Sequence, residues 1–178
     1  SLLDNQGRRI MWAWALDRLP ESEIQRAGWC GTMTLPRVLS LGEDNLLRID
    51  PVEELKTLRM NPRRIENLTI EAGAEKALDG IRGDSLELEI EIDPGNTSQF
   101  GLKVRCSPDG REQTVVTCDR EAQTLQIDCS RSSLTPGIVY RTFCMYGGEN
   151  PPVTEQSAPF SLRPGEPLRL RVFIDHSI

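Results

Sequence analysis

Asp84-Ser85-Leu86-Glu87-Leu88-Glu89-Ile90-Glu91-Ile92-Asp93 decides the fold. Apolar and acidic residues alternate through it without a fault, and a period of two belongs to a β-strand with one face on a core and one in water. Leu86, Leu88, Ile90 and Ile92 are therefore expected inside. Downstream the pattern repeats. Phe100, Leu102, Val104 and Cys106 alternate against Gly101, Lys103 and Arg105, and Ser107-Pro108-Asp109-Gly110 follows as a hairpin-type turn. Thr114–Cys118, Thr124–Cys129 and Leu168–Asp175 are further strand-like runs. Lys103 and Arg105, or Arg169 and Arg171, are placed to face Glu87, Glu89 and Glu91 across neighbouring strands, each such pair worth about 0.2–1 kcal/mol. Closely spaced strands joined by Gly and Pro turns predict an antiparallel sandwich or barrel from about residue 64 onward. Gly147 to Pro152 reads as a long loop.

Upstream lies the one good helix signal. Asp50 can cap, Pro51 takes the first helical position and Glu53 the third, with Val52, Leu55 and Leu58 forming an apolar stripe. Asn61-Pro62 should end it. Before that, Arg8-Arg9-Ile10-Met11-Trp12-Ala13-Trp14 alternates as a strand, with Ile10, Trp12 and Trp14 on one face. Leu19-Pro20-Glu21-Ser22 reads as punctuation. Met33 to Leu41 reads as extended, with Pro36 marking an edge or a bulge, and Leu46–Ile49 as a short strand after a turn at Gly42–Asn45.

Composition closes off several chemistries. The 178 residues carry a net charge of −6, which argues against nucleic acid as the main partner, because a phosphate backbone calls for a basic face. No apolar run reaches the length of a membrane span. Ser1-Leu2-Leu3-Asp4-Asn5 has neither the basic leader nor the apolar core of a signal peptide. With no initiator Met, the chain is expected to be processed or cut from something larger. His176 is the single histidine, so no site with several imidazoles can form. The five cysteines (Cys30, Cys106, Cys118, Cys129 and Cys144) include no pair at zinc or redox spacing. Most fall in strand-like runs, where Cys is expected to be a small buried hydrophobe. A disulfide between two strand cysteines stays open.

Three stretches together resemble a known family. They are Gly7-Arg8-Arg9-Ile10-Met11-Trp12-Ala13-Trp14, then Gly28-Trp29-Cys30-Gly31-Thr32-Met33-Thr34-Leu35-Pro36-Arg37, and finally Leu170-Arg171-Val172-Phe173-Ile174-Asp175-His176-Ser177-Ile178. Their order and spacing resemble the C-terminal part of family 32 of the glycoside hydrolases, the invertase, inulinase and levanase group. Phe100-Gly101-Leu102 and Ile127-Asp128-Cys129-Ser130-Arg131-Ser132-Ser133 fit the same resemblance.

The resemblance implies a catalytic five-bladed propeller with a β-sandwich packed on it. It assigns residues 1–50 to the last propeller blade, 51–63 to a linker helix and 64–178 to the sandwich. The family's nucleophile sits in a Trp-Met-Asn-Asp-Pro-Asn-Gly-like motif, its acid/base in a Glu-Cys motif and a third Asp in an Arg-Asp-Pro motif. None occurs here. Arg48-Ile49-Asp50-Pro51 has an extra residue, and Asp93-Pro94-Gly95-Asn96 reads as a turn. The resemblance therefore implies part of a glycosidase acting on O-glycosyl bonds, with no catalytic residue, metal or cofactor assigned to this chain. Past Asp175-His176-Ser177-Ile178 the family continues with another strand, so the edge at Leu168–Ile174 is expected to lack a neighbour.

Each candidate site has a plainer rival. Trp12, Trp14 and Trp29 suit the apolar faces of sugar rings. They equally suit a core between propeller strands or a join with the sandwich, since their alternation is that of a buried strand face. Glu87, Glu89 and Glu91 lie about 7 Å apart along one face and read as solvated rather than cation-binding. Asp175 and His176, being adjacent in a strand, point to opposite faces. Asp128 with Arg131 and Ser132 orders a turn. The expected role is mechanical support of a parent's propeller. A stand-alone carbohydrate-binding module, with fructan or another carbohydrate as ligand, and a module that self-associates through the C-terminal strand edge are the alternatives.

Overall fold

The computed structural model describes residues 1–15, 21–135 and 153–175. Gly147–Pro152, Cys144 and His176 lie outside them. The chain divides into two compact units, Ser1–Pro62 and Arg63–Ile178.

In the first unit the elements run β1 (Leu2–Leu3), β2 (Arg9–Met11), β3 (Trp14–Ala15), α1 (Glu21–Ala27), β4 (Thr32–Met33), β5 (Arg37–Leu41) and β6 (Leu47–Pro51), then a 3-10 turn over Glu53–Leu58. Strands β1-β2-β5-β6 form an antiparallel sheet, and β3 pairs with β4. The strand expected over residues 8–14 breaks at Trp12-Ala13. There Ala13 donates its N–H to Thr34 Oγ1 at 2.9 Å and accepts from the Thr34 N–H at 2.8 Å. Pro36, with no donor, separates β4 from β5.

Helix α1 occupies part of the stretch read as punctuation. Glu21 and Glu23 in its first turn and Arg26 in its last complement the helix dipole, and none of its residues is buried. Without an apolar stripe it carries no periodic signal. The linker helix starts later than its apparent cap. Asp50 and Pro51 continue β6 instead, opposite Val38 and Arg37 of β5, which Pro tolerates because β6 is a sheet edge. Val52 remains extended, its N–H donated to the Pro36 carbonyl at 3.1 Å, and no side chain caps the turn.

The second unit opens on residues 63–84, which contain neither helix nor strand. The β pattern expected from about residue 64 is absent there because Asn67, Gly73 and Gly80 take the left-handed backbone region, which strands exclude. Then follow β7 (Ser85–Ile92), β8 (Gln99–Val104), β9 (Thr114–Asp119), β10 (Thr124–Asp128), β11 (Glu155–Pro159) and β12 (Leu168–Asp175). Strands β11-β10-β9-β8 make one antiparallel sheet and β12-β7 another. β11 is exposed throughout, and its Glu-Gln-Ser-Ala-Pro sequence has no alternation to betray it.

Directly paired residues share a face, so Phe100, Leu102 and Val104 of β8 line up with Cys118, Val116 and Thr114 of β9, and Leu125 and Ile127 of β10 extend the row. Val104, Thr114, Val116 and Cys118 are buried. On the other sheet Leu168 and Ile174 are buried opposite Ile92 and Leu86. Two antiparallel sheets, each with one apolar face, build the β-sandwich.

The register of β12 on β7 sets Arg169 opposite Glu91 and Arg171 opposite Glu89. Arg169 Nε reaches Glu91 at 2.8 Å, and Arg171 Nε reaches diagonally to Glu87 at 2.6 Å. The acidic row is thus answered by arginines. Lys103 pairs with Glu75 instead, and Arg105 lies past the end of β8 with φ 55°.

The cysteines are less buried than the sequence suggested. Cys118 in β9 is buried, and burial pushes its thiol pKa up. Cys129 is half-buried, whereas Cys30 and Cys106 lie exposed outside the strands. All four are free thiols. Asp128 Oδ1 accepts the Ser130 N–H at 2.7 Å, ordering the turn after β10.

Gly101 marks the tightest approach in the larger sheet. A Cβ there would stand 1.9 Å from the Val116 carbonyl oxygen, a backbone atom that cannot move aside cheaply. Gly101→Ala should destabilise the second unit by about 1–3 kcal/mol, read as a lowered midpoint in urea. An unchanged midpoint would contradict this packing.

Candidate functional site

The sheet of the first unit has an apolar residue set on both sides. Pairing places Leu2, Ile10, Val38 and Asp50 on one face. Leu3, Arg9, Leu39 and Ile49 lie on the other, and the Leu41–Leu47 pair is on that same side because residues two apart along a strand share a face. Ile10 on the first face is buried, as is Val52 at the start of the linker. The opposite face is open: Leu3 is 61% exposed, Leu41 68%, Leu47 60% and Ile49 45%.

An ion-pair network fastens the linker to the sheet. Arg8 Nε reaches Asp4 at 2.7 Å, and its Nη2 reaches Glu54 in the 3-10 turn at 2.6 Å. Asp4 also accepts the backbone N–H groups of Gln6 and Arg8, each at 2.9 Å. Desolvation works against the Asp4 charge, but the Arg8 guanidinium and these N–H groups outweigh it and hold the carboxyl below its ordinary range. The Arg8 side chain likewise lowers Glu54, and the two carboxylates raise the guanidinium in return.

The three tryptophans all belong to this unit. Trp12 lies between β2 and β3, Trp14 in β3 opposite Met33, and Trp29 between α1 and β4. They are 41%, 61% and 60% exposed. Gly31 sits against the Trp14 indole: a Cβ there would meet Nε1 at 1.9 Å, and its φ of +69° also favours glycine. Met33, 65% exposed, extends the apolar surface.

Among the described residues, no group of three His, Cys, Asp or Glu side chains is placed to hold a metal ion. Asp175 accepts from Ser85 Oγ at 3.5 Å. Asp93 and Pro94 order a turn, with the Gly95 N–H on Asp93 Oδ1 at 3.0 Å and the Thr97 N–H on the Pro94 carbonyl at 2.8 Å. The open face of Leu3, Leu41, Leu47 and Ile49 did not figure among the candidates read from sequence. Its signal was the two-sided apolarity of Val38-Leu39 and of Leu46-Leu47.

The geometry defines an all-β protein of two parts, a short sheet with an uncovered apolar side and an antiparallel sandwich. Comparison with known proteins identifies the family: the chain belongs to family 32 of the glycosyl hydrolases. Residues 54–178 match the family's C-terminal model and residues 1–51 its N-terminal domain model. A sucrose-6-phosphate hydrolase of Zymomonas mobilis is 35% identical over 128 residues, covering 71% of this chain and 24% of that protein. A levanase of Bacillus subtilis is 30% identical over 178 residues, covering 96% of this chain and again 24% of the relative. This chain thus spans about a quarter of the length of either. The crystal structure of fructan 1-exohydrolase IIa from Cichorium intybus superposes with a TM-score of 0.78 at 22% identity, over 98% of this chain and 37% of that one. That likeness establishes the fold.

The Arg8 network predicts acid sensitivity in the first unit. Asp4 and Glu54 titrate lower when folded than when unfolded, so their contribution is complete above about pH 4.5 and is lost as pH falls through the folded values. Protection of the Leu55 amide, taken relative to its intrinsic exchange rate at each pH, should therefore fall below about pH 4, and Arg8→Met should lower it in the same way at neutral pH. Equal exchange in the variant and the parent chain would refute the fastening role.

Proposed function

We propose that this chain is the closing part of the N-terminal domain together with the C-terminal sandwich module of a fructan- or sucrose-acting glycosidase. Its role is mechanical: it covers and stabilises a catalytic propeller supplied by other polypeptide, and on its own it does not cut glycosidic bonds. In this reading residues 1–50 complete a propeller blade, 51–63 link and 64–178 form the sandwich. The observation that carries the reading is the open apolar face of Leu3, Leu41, Leu47 and Ile49, on the part that matches the N-terminal domain. Full burial of a Leu or Ile side chain is worth about 1.5–3 kcal/mol. These four are already about a third to a half buried, so covering the rest is worth about 3–6 kcal/mol in all, which reaches the low end of a small domain's stability, about 5–15 kcal/mol. Trp12, Trp14 and Trp29 add further exposed apolar surface in the same unit; a fructan ring stacked on them is the competing use.

A second reading rests on the β12 edge. Among the described residues β12 pairs only with β7, and an unpaired edge can recruit a strand from a second copy. Light scattering that shows monomer at every concentration would remove this reading.

The main reading is tested by grafting. This chain replaces the matching stretch of the Bacillus subtilis levanase, and the chimera should fold and hydrolyse levan, whereas the isolated chain should not. Leu47→Lys with Ile49→Lys should cut the yield of folded chimera about tenfold or more, since each buried charge costs several kcal/mol. Turnover by the isolated chain, or a chimera indifferent to both lysines, would overturn the proposal.

A further inference from the structure

We infer that the sandwich unit carries a polar recognition groove for one ring of a neutral, polyhydroxylated ligand, which is to say a sugar residue. The inference rests on the second unit alone and stands whether or not the parent is a glycosidase. Three connections meet at one end of the larger sheet: the 93–98 turn between β7 and β8, the 120–123 loop between β9 and β10, and the exit from β11 at 160–162.

Hydrogen bonds lock these connections together. The Arg120 backbone N–H is donated to the Ser98 carbonyl at 2.9 Å, and its Nη1 donates to the carbonyls of Gly95 and Thr97 at 3.0 and 3.1 Å. Phe160 donates its N–H to the Gln123 carbonyl at 2.8 Å. Asp119 braces the loop from below, accepting the Ala122 N–H at 2.8 Å and the Gln99 side-chain amide at 2.6 Å. The frame is thus fixed before any ligand arrives, which lowers the entropy cost of binding.

Between the three connections lies a cavity of about 290 Å³ lined by Asn96, Ser98, Arg120, Glu121, Gln123 and Ser161. Leu162 also lines it, and an adjoining hollow adds Pro159 and Phe160. Among the described residues the side chains of Asn96, Ser98, Glu121, Gln123 and Ser161 make no hydrogen bond within the protein. Two carboxamides and two hydroxyls each donate and accept, as a row of sugar hydroxyls does.

The charges select against other ligands. Arg120 and Glu121 carry opposite charges, so the groove has no net charge with which to favour an ion. Glu121 repels a phosphate, and a single carboxylate is too few for a hard cation. The volume falls below the range of about 300–1,000 Å³ typical of drug-sized ligands, which suits one ring. Leu162 and Phe160 supply the apolar patch that the C–H face of a sugar needs.

The test is a titration of the isotope-labelled full chain with fructose, glucose, sucrose, an inulin-type oligosaccharide and inorganic phosphate, followed by amide NMR. We expect a sugar to shift amides at 95–98, 120–123 and 160–162, with a dissociation constant of about 1 mM. Equal binding of fructose and the oligosaccharide would define a single-ring site, and tighter binding of the oligosaccharide a groove extended toward Phe160. Both keep the inference. Gln123→Gly, which removes the carboxamide at a residue whose φ of 53° glycine adopts freely, combined with Asn96→Ala, should weaken binding about tenfold. No shift at about 50 mM of any sugar, a response to phosphate alone, or sugar shifts confined to Trp12, Trp14 and Trp29 would overturn it.

Discussion

A sheet with apolar residues on both faces needs a cover on each, and the first unit buries only part of one. Its linker lies close by through Val52 and the Arg8–Glu54 pair, and Ile10 is buried. Across the sheet, Leu3, Leu41, Leu47 and Ile49 meet solvent. Small domains are marginal because so little of their surface is buried, and among the described residues Ile10 and Val52 are this unit's only buried hydrophobics. Exposed apolar side chains gathered on one face are what an interface presents. The docking reading follows from that imbalance, and the match of residues 1–51 to the family's N-terminal domain gives the imbalance a natural partner.

The second unit solves the same problem internally. Each of its sheets turns one apolar face inward and one polar face outward, so it has its own core in Val104, Val116, Cys118, Leu168 and Ile174. The outer face of β7 and β12 is a ladder of opposite charges. Arg169 and Glu91 are both well exposed, so their attraction adds little stability, roughly 0–1 kcal/mol. Its value is in register: a slip of one residue would bring apolar positions out and arginines in. The less exposed Arg171, also stacked 4.9 Å over the Phe173 ring, holds Glu87 on the diagonal.

What could be read from sequence divides along the same line. The strands of the sandwich were legible in β7, β8, β9, β10 and β12, because burial on one face imposes strict alternation. Helix α1 and strand β11 were not, since neither buries a residue and nothing periodic is required of them. The cap at Asp50-Pro51 misled because local propensity favoured a helix start while pairing with β5 held both residues in a strand; tertiary context overrides such preferences. The open face stayed hidden because exposed and buried apolar residues look alike in a short strand. The Arg8–Glu54 bond, between residues far apart in sequence, has no local signature at all. The polar groove has none either, for Asn96, Gln123 and Ser161 come from three separate connections.

The two candidate surfaces differ in the kind of partner that physics allows them. An apolar face gains from removing water and is indifferent to fine orientation, so it suits a cover that stays in place. The groove gains little from water removal. Its amides and hydroxyls are already hydrated, and a ligand must replace those bonds one for one, which leaves a small net free energy. It therefore suits a weak, exchanging ligand whose value lies in local concentration. A ring held there would join any second contact along the same polymer at an effective concentration set by the intervening length, so even millimolar affinity would help retain a polymeric ligand.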